Sequence, residues 1–440
     1  MPIRDILVTL AILSTLPVCL VRPWIGLLVW SWIGFMNPHR LTWGFAYDLP
    51  FAMMVGIATL IGFVFVGDRK PFIWTRETLL LLALWGWFTI TSSFAMYPDA
   101  AWDKWREVSK ILLMALISMS LFQDRARLRV LLLVIAGSLG FYGLKGGLFV
   151  LATGGQWMVL GPPGSFFEAN TELSLVLNMS LPISLYLARE ERRRWLRNTL
   201  RVVFGLTVVA VPFTYSRAGI LGLAVVLGVL FLRARRRLLV IPLVVAGLLV
   251  FLWFAPERLF SRIETIQAYE VDESAQLRLM SWRVARDIAR DFPVMGGGFR
   301  VFVHRSTYDI YLPEYPRDFG HDAHSIYFNL LGEHGWIGLT LFVLLVGCTL
   351  GTLHRLVGIG KTVPELVWIS DYARMLQACL LAYLVTGAFL SVAYFDLAYQ
   401  LFIIAIILNG MARQAMPVAA PQVSAVRAIV PQRRFRSRTS

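Results

Sequence analysis

Cysteine is scarce: the 440 residues hold three, Cys19, Cys348 and Cys379, each inside an apolar run. That excludes a disulfide framework and a cysteine-built zinc site. Leu16-Pro17-Val18-Cys19 does not read as a lipoprotein cleavage site, because Val18 is bulky where a small residue is needed. The first apolar stretch leads straight into further ones, which argues against a removable signal peptide. Charge is scarce too, at 16% of residues, where a soluble domain carries about a quarter. Acidic residues are the rarer sign, 27 against 42 Lys and Arg. They are scattered, so the clustered carboxylates that hold Mg²⁺ or Mn²⁺ are missing and no metal or other cofactor is expected.

What is plentiful is hydrocarbon. The chain is 57% hydrophobic, with a mean hydropathy of +0.65. The excess falls in long runs of Leu, Val, Ile, Phe and Ala between short charged stretches. A helix needs about 20 apolar residues to cross a bilayer core. In lipid every backbone polar group must be bonded internally, so these runs should be helices. Candidate spans are 5–20, 24–36, 50–67, 77–95, 109–122, 128–151, 171–188, 200–214, 218–232, 238–255, 324–350, 373–392 and 397–411. The first two are barely adequate pieces around Arg22-Pro23, and one of the set can be re-entrant or interfacial. The expectation is an all-α, polytopic membrane protein with about 12 crossings.

The net charge of +15 comes almost wholly from Arg. Nucleic acid is one partner such a charge can suggest. Here the Arg residues sit in short loops beside apolar runs, which is how the positive-inside rule writes topology, so membrane lipid rather than nucleic acid is the expected partner. Three basic groups stand out: Arg189, Arg192, Arg193, Arg194, Arg197 and Arg201; Arg233, Arg235, Arg236 and Arg237; and Arg433, Arg434, Arg436 and Arg438. One placement puts all three in the cytoplasm. Alternation then puts 37–49, 96–108, 152–170, 214–217, 256–323 and 393–396 outside. The chain thus divides into N-terminal transmembrane helices (1–255), a large, partly helical periplasmic loop (256–323), C-terminal transmembrane helices (324–412) and a disordered basic tail (413–440). Within the loop, Leu277, Val284 and Ile288 recur at helical spacing. Asp291-Phe292-Pro293 and Gly296-Gly297-Gly298 end that helix.

Four features gather at the outer boundary. Thr214-Tyr215-Ser216-Arg217-Ala218-Gly219 is a polar break between apolar runs. A charge beside lipid is costly and usually functional, and Arg can grip phosphate oxygens in a bidentate way. The plainer reading of Arg217 is a helix-end residue snorkelling to the interface. Next, Arg278, Trp282 and Arg286 share a helix face that suits an anion, with Trp282 as a platform for sugar or isoprenoid. The plainer reading is a solvated face with Arg283 paired to Asp287. Third, His321-Asp322-Ala323-His324-Ser325 leads into Leu331-Gly332-Glu333-His334-Gly335. A histidine there can take a proton from a sugar hydroxyl. His321, Asp322 and His324 can also be read as metal ligands, or as a polar helix start capped by Asp322. Last come the outer polar residues Lys145, Asn170, Glu172 and Asp396, with Lys145 in an apolar run among glycines.

Together, Ser216-Arg217, Arg278 with Trp282, Pro293 through Gly298, and His324 through Leu331, Glu333 and Gly335 resemble the O-antigen ligase and O-antigen polymerase superfamily. The resemblance covers about residues 160–412. The stretch Trp30 to Trp43, with Asn37-Pro38-His39-Arg40, resembles the O-glycosylation ligases encoded with exosortase systems. One position departs: Ser325 stands where many relatives carry Asn. The resemblance implies an inverting glycosyltransferase of the inner membrane, active on its periplasmic face, that needs neither nucleotide sugar nor metal. Its donor would be an undecaprenyl-pyrophosphate glycan and its acceptor lipid A–core, or a protein in related enzymes. His324 would be the catalytic base. Arg217 and Arg278 would hold the pyrophosphate, with Trp282, Lys145, Asn170, His321 and Asp396 as further substrate contacts. A polymerase shares donor and fold. A transporter is the reading of another class, but no internal repeat is found and the unusual polar residues lie at one boundary rather than mid-membrane.

Overall fold

Apolar runs closed by Pro, Gly and short polar links leave the backbone one way to satisfy itself, and the described chain is helical accordingly. The computed structural model describes residues 3–67, 69–233 and 273–415. Its α-helices are α1 Ile3–Leu13, α2 Leu16–Val21, α3 Pro23–Met36, α4 Phe51–Phe65, α5 Arg76–Ser93, α6 Pro98–Leu121, α7 Arg125–Thr153, α8 Asn170–Glu190, α9 Arg194–Ala210, α10 Arg217–Leu232, α11 Glu273–Asp291, α12 Arg305–Tyr311, α13 Ile326–Thr362, α14 Val367–Gly387 and α15 Asp396–Ala415. No strand occurs among the described residues. The all-α expectation therefore holds. Five segments are long and apolar enough to cross a membrane: Ile3–Val21, α7, α8, α13 and α15. α3, α4 and α10 are apolar but shorter. The expected span at 238–255, the first part of the expected loop and the tail beyond Ala415 lie outside the described residues.

Short connections make successive long helices antiparallel, so the bundle has two ends. One carries the first turns of α7 and α9 and the last turns of α8 and α10, and hence the Arg residues of 189–201 together with Arg233. Arg233 is tied there to the Arg374 carbonyl and the Gln377 side chain, both at 2.7 Å. The other end carries the starts of α6, α8, α10 and α13, with α11 and α12. The main core runs through α5–α8, α14 and α15. A separate small core of Leu277, Val284, Ile288, Phe302, Tyr308 and Tyr315 holds α11 and α12 together. Leu277, Val284 and Ile288, which recur at helical spacing, are all buried.

Three boundaries differ from expectation. Residues 98–108 are the polar first turns of α6 rather than loop. α15 continues to Ala415, past the expected start of the tail. The long helix α13 begins at Ile326, with Ser325 in the capping position, so Asp322 is not its cap. α13 also breaks at Gly335, whose φ of 65° and ψ of −169° are non-helical. A Cβ there would lie 2.3 Å from the Val294 carbonyl oxygen. The break frees backbone groups, and the Gly296-Gly297-Gly298 turn takes them up. Gly297 and Gly298 N–H donate to the Gly332 and Glu333 carbonyls, each at 2.8 Å, and Trp336 N–H donates to the Pro293 carbonyl at 2.9 Å. Gly296, at φ 66°, has no room for a side chain against this exchange.

Candidate functional site

The break at Thr214-Tyr215-Ser216-Arg217 is a built turn. Tyr215 takes the left-handed conformation at φ 53°, and its hydroxyl donates to the Gly155 carbonyl at 2.7 Å. Asn170, the first residue of α8, donates to the Thr214 carbonyl at 2.8 Å. Ser216 caps α10 by accepting from Gly219 N–H at 3.0 Å. Arg217 is thereby held in the first turn of a helix, where the backbone N–H groups and dipole already favour an anion.

Facing that turn is α11. Arg217, Ala218 and Leu221 of α10, Ala275, Arg278, Leu279 and Trp282 of α11, and Phe389 line a cavity of about 440 Å³. Three of the residues singled out by sequence thus meet in one place. Two guanidinium groups sit in walls that are otherwise hydrocarbon, and Leu221 and Leu279 remain substantially exposed. Trp282 supplies surface rather than a hydrogen bond. Its indole N–H is committed to the Ala323 carbonyl at 2.7 Å, and its ring stacks on Phe328 at 4.9 Å between centroids. Arg286 does not line the cavity; it lies beside Asp287 at 3.8 Å. The expected Arg283–Asp287 pair forms at 3.9 Å, with Glu314 also within 3.6 Å of Arg283.

The segment 321–325 packs on the same helix. The Ser281 hydroxyl lies 3.3 Å from His321 Nδ1, and the Tyr308 hydroxyl donates to the His321 carbonyl. The His321 and His324 rings are 4.6 Å apart. His324 has a φ of 44°, unusual for a residue with a side chain; backbone held in such regions clusters at functional sites. Its N–H donates to Ser391 Oγ at 2.9 Å, which fixes it to the α14–α15 link. Burial, with His321 (once protonated at low pH) and the Arg278 guanidinium opposing a second positive charge, pushes the His324 imidazole down to about 3. Burial lowers His321 as well. Both rings are therefore neutral at pH 7, and neutral imidazole is the proton-accepting form. Asp322 stands between the two histidines in the sequence. Burial raises its carboxyl, while Lys104 and Arg300 pull it down and Glu172 pushes it up. Among the described residues, no group of three His, Cys, Asp or Glu is arranged to hold a metal ion.

Beneath this segment, at the break in α13, lies a buried polar chain. The Tyr394 hydroxyl donates to Glu333 Oε2 at 2.5 Å. Having one proton to give, it must accept from His334 Nε2 at 2.8 Å. His334 Nδ1 then accepts from the Thr91 hydroxyl at 2.7 Å. Arg300 N–H supplies Glu333 Oε1 at 2.7 Å.

The remaining candidates lie elsewhere. Lys145 is exposed on α7. Its neighbours Gly143 and Gly147 press on α9, where a Cβ would meet Thr207 or Leu206 at 1.9 and 2.4 Å, so Lys145 is turned outward. Asn170 acts on the Arg217 turn rather than on the cavity. Asp396 begins α15, its Oδ1 accepting from Leu397 N–H at 2.8 Å. Phe389, Ser391 and Tyr394, all in the α14–α15 link, had no distinguishing signal in the sequence.

Residues 3–192 match a family of unknown function (DUF5935). Residues 202–343 match the O-Antigen ligase family. The latter range holds Arg217, Arg278, Trp282, His321, His324 and Glu333. A search of curated proteins finds no match to the chain.

Proposed function

We propose that this chain is an inverting, metal-independent glycosyltransferase of the bacterial inner membrane, a reading supported by the match of residues 202–343 to the O-Antigen ligase family. It moves a glycan from undecaprenyl pyrophosphate to lipid A–core on the periplasmic face. The observation that carries this reading is the cavity joining Arg217 and Arg278 within hydrocarbon walls, beside the His321–His324 segment. A pyrophosphate linked to an isoprenoid needs that pairing: cations for the head, apolar surface for the first units of the tail. About twelve crossings, with the arginine-rich end of the bundle cytoplasmic, would set the cavity at the outer boundary.

In the proposed step the neutral His324 imidazole takes the proton of an acceptor hydroxyl. The hydroxyl oxygen bonds to the anomeric carbon from the face opposite the pyrophosphate. The bond from that carbon to the pyrophosphate oxygen breaks, and its electron pair leaves with the lipid pyrophosphate. Arg217 and Arg278 stabilise the charge that develops there. General-base catalysis is worth about 10²–10⁴-fold. His324→Ala should therefore remove most turnover and spare donor binding.

The test uses purified protein in nanodiscs, an undecaprenyl-pyrophosphate glycan and lipid A–core, with His324→Ala and a chelator as controls. Glycan-bearing lipid A–core formed with chelator present, and only by the unmutated protein, is expected. Donor consumed or lengthened without that product would move the assignment to a protein O-oligosaccharide ligase or an O-antigen polymerase. Untouched donor would overturn the glycosyltransferase reading and favour transport.

A further inference from the structure

A second cavity, of about 340 Å³, lies at the arginine-rich end of the bundle, opposite the end that carries Arg217. Arg125 at the start of α7 and Tyr186, Arg189 and Glu190 at the end of α8 line one part of it. Val367, Trp368, Asp371 and Tyr372 of α14, with Pro364 and Glu365 of the turn before α14, line the rest. The aromatic part is fixed in place. Trp368 and Tyr372 meet edge to face at 5.6 Å between centroids, and the Arg125 guanidinium lies 5.0 Å over the Trp368 ring. Glu190 is fully committed. Its Oε1 accepts from Arg125 and its Oε2 from the Tyr372 hydroxyl, both at 2.6 Å, so Arg125 and Glu190 neutralise each other. Asp371 gives Oδ1 to Arg374 at 3.2 Å. Two lining charges remain without an ion pair among the described residues: Arg189, held 5.1 Å over the Tyr186 ring, and Glu365. Both are exposed.

We propose that this cavity binds the headgroup of a membrane phospholipid that carries a primary ammonium as well as a phosphate, as phosphatidylethanolamine does. Arg189 takes the phosphate oxygens, which a guanidinium can hold in a bidentate way. Glu365 and Asp371 accept from the ammonium, and the Trp368 ring gives a cation a face to rest on. One unpaired cation and one unpaired carboxylate in a single cavity match a zwitterion. A purely anionic headgroup would leave Glu365 opposed to its charge, and a quaternary ammonium has no hydrogen to donate to the carboxylates. The position favours a lipid over a soluble molecule. α7 and α8, whose ends form the cavity, are long and apolar enough to cross a membrane. Val367 in the lining is 44% exposed, and Trp195, at the start of α9 and so at the same end, is 65% exposed. Indole rings collect at the level of lipid headgroups. A lipid seated there joins α7 and α8 to the turn before α14 and should stabilise the folded protein. Binding of this kind needs no glycan transfer.

The experiment titrates the delipidated full chain in detergent with phosphatidylethanolamine, phosphatidylcholine or phosphatidylglycerol of identical acyl chains. Bound lipid is counted by native mass spectrometry, and Tm is followed in parallel. Phosphatidylethanolamine should bind tightest and raise Tm most. Arg189→Gln and Glu365→Gln remove exposed charges that hold no ion pair in the fold, so both variants should fold. Each should weaken phosphatidylethanolamine by roughly 3- to 10-fold, between the worth of an exposed ion pair and that of a charge-assisted hydrogen bond. The two should differ in pattern. Arg189→Gln should weaken all three lipids, which share the phosphate, whereas Glu365→Gln should spare phosphatidylglycerol and so erase the lead of phosphatidylethanolamine over it. A general loss of structure would not produce that split. Phosphatidylethanolamine binding no tighter than the other two lipids, or keeping its lead in Glu365→Gln, would overturn the proposal. Free phosphoethanolamine competing at the same concentration as the lipid would overturn the membrane source.

Discussion

Replacing Tyr394 with Phe removes one oxygen from the buried chain that runs Thr91, His334, Tyr394, Glu333. The ring volume is kept, so no cavity opens. Two hydrogen bonds are lost, to Glu333 Oε2 and from His334 Nε2. Both partners are buried, with Glu333 3% exposed and His334 fully enclosed, so water cannot take the vacated place. Each buried polar group left unsatisfied costs about 1–3 kcal/mol. The expected loss is therefore roughly 2–6 kcal/mol, large beside the 5–15 kcal/mol that ordinary domains possess. Thr91→Val cuts the chain at its far end, where His334 loses a single bond, and should cost about 1–3 kcal/mol. Thermal denaturation in one detergent should rank unmutated protein above Thr91→Val, and Thr91→Val above Tyr394→Phe. A cycle with Glu333→Gln adds a second check. Residues sharing a hydrogen bond are non-additive by about 0.5–3 kcal/mol, so the double variant should lose less than the sum of the singles. Additive losses, or a Tyr394→Phe protein as stable as the parent, would refute the chain as drawn.

Gly335→Ala should give little folded protein, since its φ and ψ belong to a region essentially restricted to glycine and the added Cβ meets the Val294 carbonyl; expression yield and monodispersity in detergent test this. Arg217→Ala and Arg278→Ala should each weaken retention of an undecaprenyl-pyrophosphate glycan by roughly 10- to 100-fold, and unchanged donor binding in either would remove that residue from the site. His324 bears on pH dependence with a definite sign. Its base form is lost as pH falls through its pKa, which burial and neighbouring positive charge hold at about 3 in the free protein. The acid limb of kcat/KM should therefore lie well below the ordinary histidine value of about 6.5. A bound pyrophosphate offsets the Arg278 charge, so the limb of kcat should lie at higher pH than that of kcat/KM. A kcat/KM limb near 6.5, or the reverse order, would count against His324 as the base.

Arg217 was legible in the sequence because it breaks two apolar runs, and Arg278 and Trp282 because they share one face of a helix at positions that the family resemblance also marks. Their meeting in one cavity also followed from reading both segments at the same end of the bundle. Phe389, Ser391 and Tyr394 were not legible. They sit in a short link that looks like the tail of one apolar run, and their roles come from partners far along the chain. Ser391 reaches back 67 residues to His324 and Tyr394 reaches back 61 to Glu333. Lys145 lies outside the cavity for a local reason. A lysine among glycines looks like a charge seeking an interior partner, yet those glycines serve close approach to α9 and leave the lysine on the other side. A lone glycine in an apolar run is compatible with an unbroken helix, so the break at Gly335 left no mark until the Gly296–Gly298 turn was seen to fill it.

That break explains why the candidate base can be held so firmly in a segment without regular structure. Ile326–His334 is a short helical piece whose far end exchanges three backbone hydrogen bonds with Pro293–Gly298. The segment carrying His321 and His324 is therefore clamped between two fixed points. At one, α11 grips it through Ser281 and Trp282. At the other, the short piece is locked to the glycine turn and, through Glu333 and Tyr394, to the α14–α15 link. Ser391 in that same link then holds His324 itself. The left-handed backbone of His324 persists because the surroundings over-determine it. A change in the α14–α15 link should consequently act on the chemistry before it acts on donor affinity. Ser391→Ala removes the side-chain acceptor of the His324 N–H and touches none of the cavity residues. It should lower kcat while leaving the donor Kd within about twofold. A matching loss of donor binding would mean that the link shapes the cavity through Phe389 rather than placing the base.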